Sequence, residues 1–248
     1  PTDDETATFK ARNFTFYNPA KTDAFKTWVS QLYITCVLDA IPPPTSDHGD
    51  DAAITVVGTD ADHGMYLLEA VAGRMSPEAQ IEEVLSLHAV WHFKKFGLET
   101  NAFQRMIKST LELRLQDLRR NPKWEPFSII EFTGVTQGNK EQRIQGLQPW
   151  HEQGLLKLPG EKLELLTGVY SQLVYQMLQF PHSSKDDVLD SLAYHLQLKQ
   201  PGYIKPQVLD IPYTSAAWFE REQRKEELKV MARRPRWRRR PLPELVFS

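Results

Sequence analysis

Four groups of carboxylates stand out by where they fall: Asp39, the adjacent Asp50 and Asp51, Glu99, and Asp186, Asp187 and Asp190. Asp39 closes the run Leu32 to Leu38, mostly apolar and β-favouring, which reads as a buried strand. An acid directly after such a strand costs stability unless it finds partners. The carboxyl ends of strands are also where open α/β sheets place their ligands. Glu99 follows the short strand-like Phe96, Gly97, Leu98. Asp186 and Asp187 open a helix near its positive pole, and Asp190 lies one turn after Asp187 on the same face. Carboxylates drawn from separate elements suit Mg²⁺ or Mn²⁺, hard cations that take oxygen ligands and keep several waters. Two such ions about 3.5–4 Å apart activate a water and neutralise charge on a phosphate, the requirements of phosphodiester hydrolysis. Each group also has a plainer reading. Asp186 and Asp187 serve as dipole complements, Asp50 and Asp51 as solvated loop acids, and Glu99 as a cap for the helix after it. Their occurrence together, in this order of elements, points to a shared site.

For the acids to meet, the elements carrying them must fold back on one another. After Asp39, Pro42 to Pro44 break the chain, and a polar loop with Asp47, His48 and Gly49 leads to a second strand at about Ala52–Thr59. Asp60 to Gly64 reads as a hairpin turn into a third strand, about Met65–Ala72. Three adjacent strands make an antiparallel meander. Ser76 and Pro77 suit an N-cap and first helical position for a helix running to about His92. Phe96–Glu99, a helix from Asn101 to about Asn121, and a strand at Phe127–Phe132 follow. Lys140–Gln153 reads as a helix interrupted by Pro149, and Leu155–Leu158 as a short strand. Glu161–Gln179 carries apolar residues at helical spacing, and Asp186 to about Leu198 is a capped helix. Residues 1–30 read as an extended lead-in with a short helix near Asp23–Ser30, and Ala216–Met231 as a charged helix before a Pro/Arg tail. Meander strands followed by alternating helices and strands predict an α/β fold, a mixed sheet flanked by helices.

Composition sets limits. With 41% hydrophobic and 25% charged residues among 248, the chain has the make-up of an ordinary folded protein. The net charge of −2 hides an uneven distribution, with acids early and arginines late. One cysteine, Cys36, excludes a disulfide framework or a cysteine zinc site within the chain. No apolar run approaches a membrane span, and the acidic N-terminus does not resemble a signal peptide. The absence of an initiator Met suggests a processed chain or a piece of a longer one.

Four segments in order carry a family resemblance. The first is Tyr33 to Asp39 with Asp50 to Gly58. The second is Gly73 to Glu78 leading on to Leu98 to Gln104. The third is Lys140 to Ile144 with Leu147 to Gly154, and the fourth Phe180 to His182 with Lys185 to Tyr194. Together they resemble the nuclease domain of phage terminase large subunits, the DNA-packaging motor proteins, which have a ribonuclease H-like fold. The resemblance implies a metal-dependent endonuclease using two Mg²⁺ or Mn²⁺ ions to cut concatemeric viral double-stranded DNA during packaging. By position, Asp39, Glu99 and Asp187 would be central metal ligands. Asp186, Asp190 and one of Asp50 and Asp51, with Asp51 preferred, would be auxiliary, and Lys140 and Arg143 would lie near the DNA path. Lys185 stands where the family often has His, with His182 three residues earlier. Partners implied are DNA, an ATPase domain, the small terminase subunit and the portal protein, in the host cytoplasm and without a membrane. No Gly-rich phosphate loop ending in Lys-Ser/Thr occurs. Residues 1–30 are therefore expected to be a linker from an ATPase domain, 31–200 the nuclease domain, and 201–248 a helical extension with a basic tail.

That tail concentrates Arg233, Arg234, Arg236, Arg238, Arg239 and Arg240 around Trp237. It reads as a DNA or portal contact, with Arg236, Arg238 and Arg239 foremost, or more plainly as a solvated tail. Two other readings compete with the packaging nuclease: a resolvase- or transposase-like nuclease on the same scaffold, and a non-catalytic module that docks on DNA or a portal.

Overall fold

The computed structural model describes residues 7–19, 22–40, 51–99, 102–122, 124–132 and 139–202. Asp50, the Pro42–Pro44 run, the expected Ala216–Met231 helix and the arginine block lie outside them.

Seven strands form one sheet: β1 (Thr15–Tyr17), β2 (Tyr33–Asp39), β3 (Ala52–Thr59), β4 (Met65–Gly73), β5 (Lys95–Glu99), β6 (Ser128–Phe132) and β7 (Leu156–Pro159), in the order β1-β7-β4-β3-β2-β5-β6. β2, β3 and β4 form the expected antiparallel meander, while β5 lies parallel to β2, β6 to β5, β7 to β4 and β1 to β7. The helices are α1 (Asp23–Val29), α2 (Pro77–Trp91), α3 (Ala102–Leu118), α4 (Lys140–Gln145), α5 (Gln148–Glu152), α6 (Gly168–Gln179) and α7 (Asp187–Leu198). Among the described residues no helix is long and apolar enough to cross a membrane.

β3 is buried at every position because both faces of the sheet are covered, which is why it reads as a continuous apolar run. Alternate residues serve opposite faces. Cys36, Leu38, Ile54 and Val56 pack with Ile81, Val84 and Leu87 of α2 and Ile107 and Leu111 of α3. Ala53, Val57 and Leu67 pack with Leu173 and Met177 of α6 and Val188, Leu189 and Leu192 of α7. Each large aliphatic side chain so buried contributes about 1.5–3 kcal/mol. The meander turn rests on Asp60, whose carboxylate accepts from the backbone N–H of Asp62 (2.9 Å) and Gly64 (2.7 Å) and from the Tyr66 hydroxyl (3.0 Å).

Two expectations about elements change. The lead-in supplies an edge strand: β1 pairs with β7, Thr15 Oγ1 donates to Leu156 O at 2.8 Å, and Phe9 is wholly buried in the α6/α7 core. The long helix expected from Glu161 begins only at Gly168, which has φ +59. Leu163–Leu165 form a 3₁₀ turn, and Leu166 and Thr167 are extended. Leu166 and Val169 still pack against the same core, so helical spacing arises without a continuous helix.

Candidate active site

β2 and β5 are in register from Thr35 beside Lys95 to Leu38 beside Leu98, so Asp39 and Glu99, the next residue on each strand, end side by side. Thr35, Val37 and Asp39 share one face of β2, and Gly97 and Glu99 share one face of β5. That face is the one α7 covers. A Cβ on Gly97 would stand 2.6 Å from the Phe132 ring and 2.8 Å from Leu198 Cδ1. His195 Nδ1 is 2.6 Å from Thr35 Oγ1, and Ser191 Oγ donates to Val37 O at 3.2 Å. Thr35 to Val37 spans about 6.6 Å of strand, and His195 to Ser191 about 6 Å of helix. The helix therefore runs antiparallel to β2, and one further turn brings Asp187 level with Asp39.

The electrostatics report the same gathering. Asp39 is half-buried, and its carboxyl is pushed up to about 8, first by burial and then by Asp190, Asp187 and Glu99, with Lys140 pulling the other way. Asp190 is also raised by burial, against the opposing pull of Arg143 and Lys140. Arg143 grips Asp190 in a fork, Nε to Oδ1 at 2.8 Å and Nη2 to Oδ2 at 2.9 Å. Its guanidinium lies 3.9 Å from the centre of the Tyr194 ring, which stacks on Phe132 at 4.3 Å. Lys140 Nζ donates to Asp186 Oδ1 at 2.6 Å and stands 3.7 Å from Asp190 Oδ2. Burial works to lower the Lys140 ammonium's pKa, but the Asp186 bond and the charges of Asp190, Asp186 and Asp39 carry it upward.

Asp39, Glu99, Asp187 and Asp190 thus share one end of the sheet. Asp186 is the residue before α7, but its side chain makes no capping bond and turns to Lys140 instead. Asp51, just before β3, is paired with Lys185 at 2.7 Å. The Asp51 bond and the charges of Asp51 and Asp187 raise the Lys185 ammonium, so Lys185 links Asp51 to the cluster. His182 is exposed. Of the expected DNA contacts, Lys140 has 42% of its side chain exposed. Arg143 has 8%, which leaves little of it to meet a phosphate. Arg236, Arg238 and Arg239 lie outside the described residues.

Composition and spacing did not reveal the supports beneath the acids: Thr35, Thr55, Ser191 and His195, and the stack of Arg143, Tyr194 and Phe132. A signal was present. Thr35 and Thr55 are hydroxyls inside otherwise apolar strands, and Ser191 and His195 follow Asp187 at four and eight residues, along one helix face.

A divalent cation is the group this fold implies. The donors are all carboxylate oxygens, and burial together with the neighbouring acids holds a proton on Asp39, a strain that a hard cation relieves. Among the described residues, however, no three His, Cys, Asp or Glu side chains stand close enough to hold one ion as they are arranged. Asp186 and Asp190 are turned onto basic partners.

No protein-family model matches the chain, and no curated protein does. Solved structures do. The large terminase nuclease of thermophilic phage G20c with bound magnesium is 13% identical over 75% of this chain and 94% of its own, with a TM-score of 0.50. The large terminase nuclease domain of Thermus phage P74-26 is 14% identical over 81% and 100%, with a TM-score of 0.49. The terminase nuclease domain of human cytomegalovirus, manganese-soaked and inhibitor-bound, is 13% identical over 74% and 88%, with a TM-score of 0.46. The chain has the ribonuclease H-like fold of the large terminase nuclease domains.

Proposed function

We propose that this chain is the nuclease part of a large terminase, a Mg²⁺- or Mn²⁺-dependent endonuclease that cuts double-stranded viral DNA during genome packaging. The observation that carries this reading is the convergence of Asp39, Glu99, Asp187 and Asp190 at one end of a sheet with the terminase nuclease fold. Asp39, Glu99 and Asp187 would hold the cations, with Asp186, Asp190 and Asp51 as auxiliary acids. Bound there, two ions would supply charge neutralisation at the phosphate and an activated water. The chain's own residues prepare the place. Arg143 holds Asp190 in one orientation, Lys140 offsets part of the acids' mutual repulsion, and α7 presents Asp187 to Asp39. Lys140, the more exposed base with 42% of its side chain open, would be the one to meet a backbone phosphate. An ATPase domain, the small terminase subunit and the portal are the proposed partners.

Supercoiled plasmid incubated with Mn²⁺ is expected to be nicked and linearised, and chelation is expected to stop it. Asp39→Ala should lower the rate by about 100-fold or more; full activity in that variant would remove the assigned site. The hold of Lys140 and Arg143 on two of the acids favours a second reading, a non-catalytic module that binds DNA or a portal. Metal-independent DNA binding without cleavage would support it. A strong preference for four-way junctions over linear DNA would point instead to a resolvase.

A further inference from the structure

We propose that His195, eight residues beyond Asp187, is a positioning residue: as a neutral imidazole protonated on Nε2 it fixes the height of α7, and with it the meeting of Asp187 and Asp39. The inference deepens the nuclease reading and rests on it for its effect on cleavage.

His195 is wholly inaccessible and touches two strands at once. Nδ1 lies 2.6 Å from Thr35 Oγ1 on β2, and Nε2 lies 3.0 Å from Thr55 Oγ1 and 3.2 Å from Thr55 O on β3. Thr55 Oγ1 is 2.7 Å from Ser191 Oγ, which is 3.2 Å from Val37 O. One order of protons uses every donor. Thr35 donates to Nδ1, Nε2–H donates to the Thr55 carbonyl, Thr55 donates to Ser191, and Ser191 donates to the Val37 carbonyl. In the other tautomer Nδ1–H would donate to Thr35 Oγ1, Thr35 to the Val57 carbonyl at a long 3.4 Å and Thr55 Oγ1 to Nε2, but the Nε2 lone pair would then also face the Thr55 carbonyl at 3.2 Å, acceptor against acceptor. The imidazolium is disfavoured as well, since burial lowers the ring's pKa to about 3.

Direction is what gives the network its role. Apolar packing between α7 and the sheet is non-directional and tolerates a slide along the strands. Hydrogen bonds at Thr35, Val37 and Thr55 do not: a slip of one residue, about 1.5 Å of helix, breaks the geometry of all of them. The same slip would carry Asp187 and Asp190 away from Asp39.

The test compares Thr35→Val, which keeps the shape but removes the donor to Nδ1, with Thr35→Ser, which keeps the hydroxyl, in the full chain. Imidazole ¹⁵N spectra of the wild type should show the Nε2–H tautomer, unchanged from about pH 5 to about pH 8. Thr35→Ser should keep that spectrum and Thr35→Val should lose it. By calorimetry, and by the Mn²⁺ dependence of plasmid cleavage, Thr35→Val should need roughly tenfold more Mn²⁺. Thr35→Ser should stay within about twofold of the wild type. A purely structural loss would lower thermal stability without moving the Mn²⁺ requirement of the folded protein. An Nδ1–H or charged His195 in the wild type overturns the proposal, as does a folded Thr35→Val with wild-type Mn²⁺ binding. Wild-type protein that binds Mn²⁺ but cuts no DNA would strike the nuclease reading alone.

Discussion

A carboxyl held at about 8 keeps its proton at neutral pH, whereas the same Asp39 in an unfolded chain titrates near 3.8. Across that window the native chain binds a proton the unfolded chain has lost, so Asp39 makes stability fall as pH rises. Asp39→Asn removes this dependence. Relative to wild type it should gain about 1–3 kcal/mol between pH 5 and pH 8, less than the whole shift because the residue is partly open to water. Urea denaturation in chelator at both pH values checks this, and parallel curves would contradict it. The opposite case is Arg143, whose removal leaves Asp190 the longer 3.7 Å contact to Lys140, in a site where the Arg143 and Asp190 side chains are both under a tenth exposed. Arg143→Ala should cost about 3–5 kcal/mol, and adding Asp190→Asn should recover much of it. Lys140→Ala, at a more exposed pair, should cost no more than about 1 kcal/mol. Equal losses at the two bases would refute the distinction. The acids could be read from the sequence because an Asp after a buried strand is conspicuous. Their bases could not, because Arg143 and Asp190 are 47 residues apart and only folding pairs them.

Among the elements, α7 and β5 determine whether the acids meet. Gly97 leaves room for both neighbours of β5, since a side chain there would run into the Phe132 ring of β6 and Leu198 of α7. Phe132 is stacked on Tyr194, which carries Arg143, so a displacement there spreads to the grip on Asp190. Gly97→Ala should therefore destabilise by about 1–3 kcal/mol through overpacking and slow cleavage as well. A thermal melt matching wild type would show that the ring has room to yield. Strand and helix boundaries were largely legible, because alternation in the meander and the Ser76–Pro77 start are local signals. The false continuation from Glu161 shows the limit. Leucines that pack on one core repeat at similar intervals whether the chain between them is helical or merely turns, and Gly168 ends the ambiguity only through its φ of +59.

At the scale of the whole molecule the charge is divided: acids gather at one end of the sheet, and six arginines lie within residues 233–240. If the arginine block engages DNA phosphates, deleting residues 232–248 should flatten the log–log salt dependence of binding by about 3–5, close to 0.9 for each phosphate no longer neutralised. An unchanged slope would assign the DNA contact to Lys140 and its surroundings. The sequence by itself determined the class of architecture, the meander, the helix that opens at Asp186 and the acids able to share a site, since each depends on residue type and short-range periodicity. Tertiary structure alone decided that Thr15–Tyr17 joins the sheet, that Arg143 and Lys140 hold Asp190 and Asp186, and that Thr35, Thr55 and His195 set the height of α7. Those facts depend on strand register and helix axial position, which arise from the meeting of segments far apart along the chain, more than a hundred residues for β1 with β7 and for His195 with its threonines.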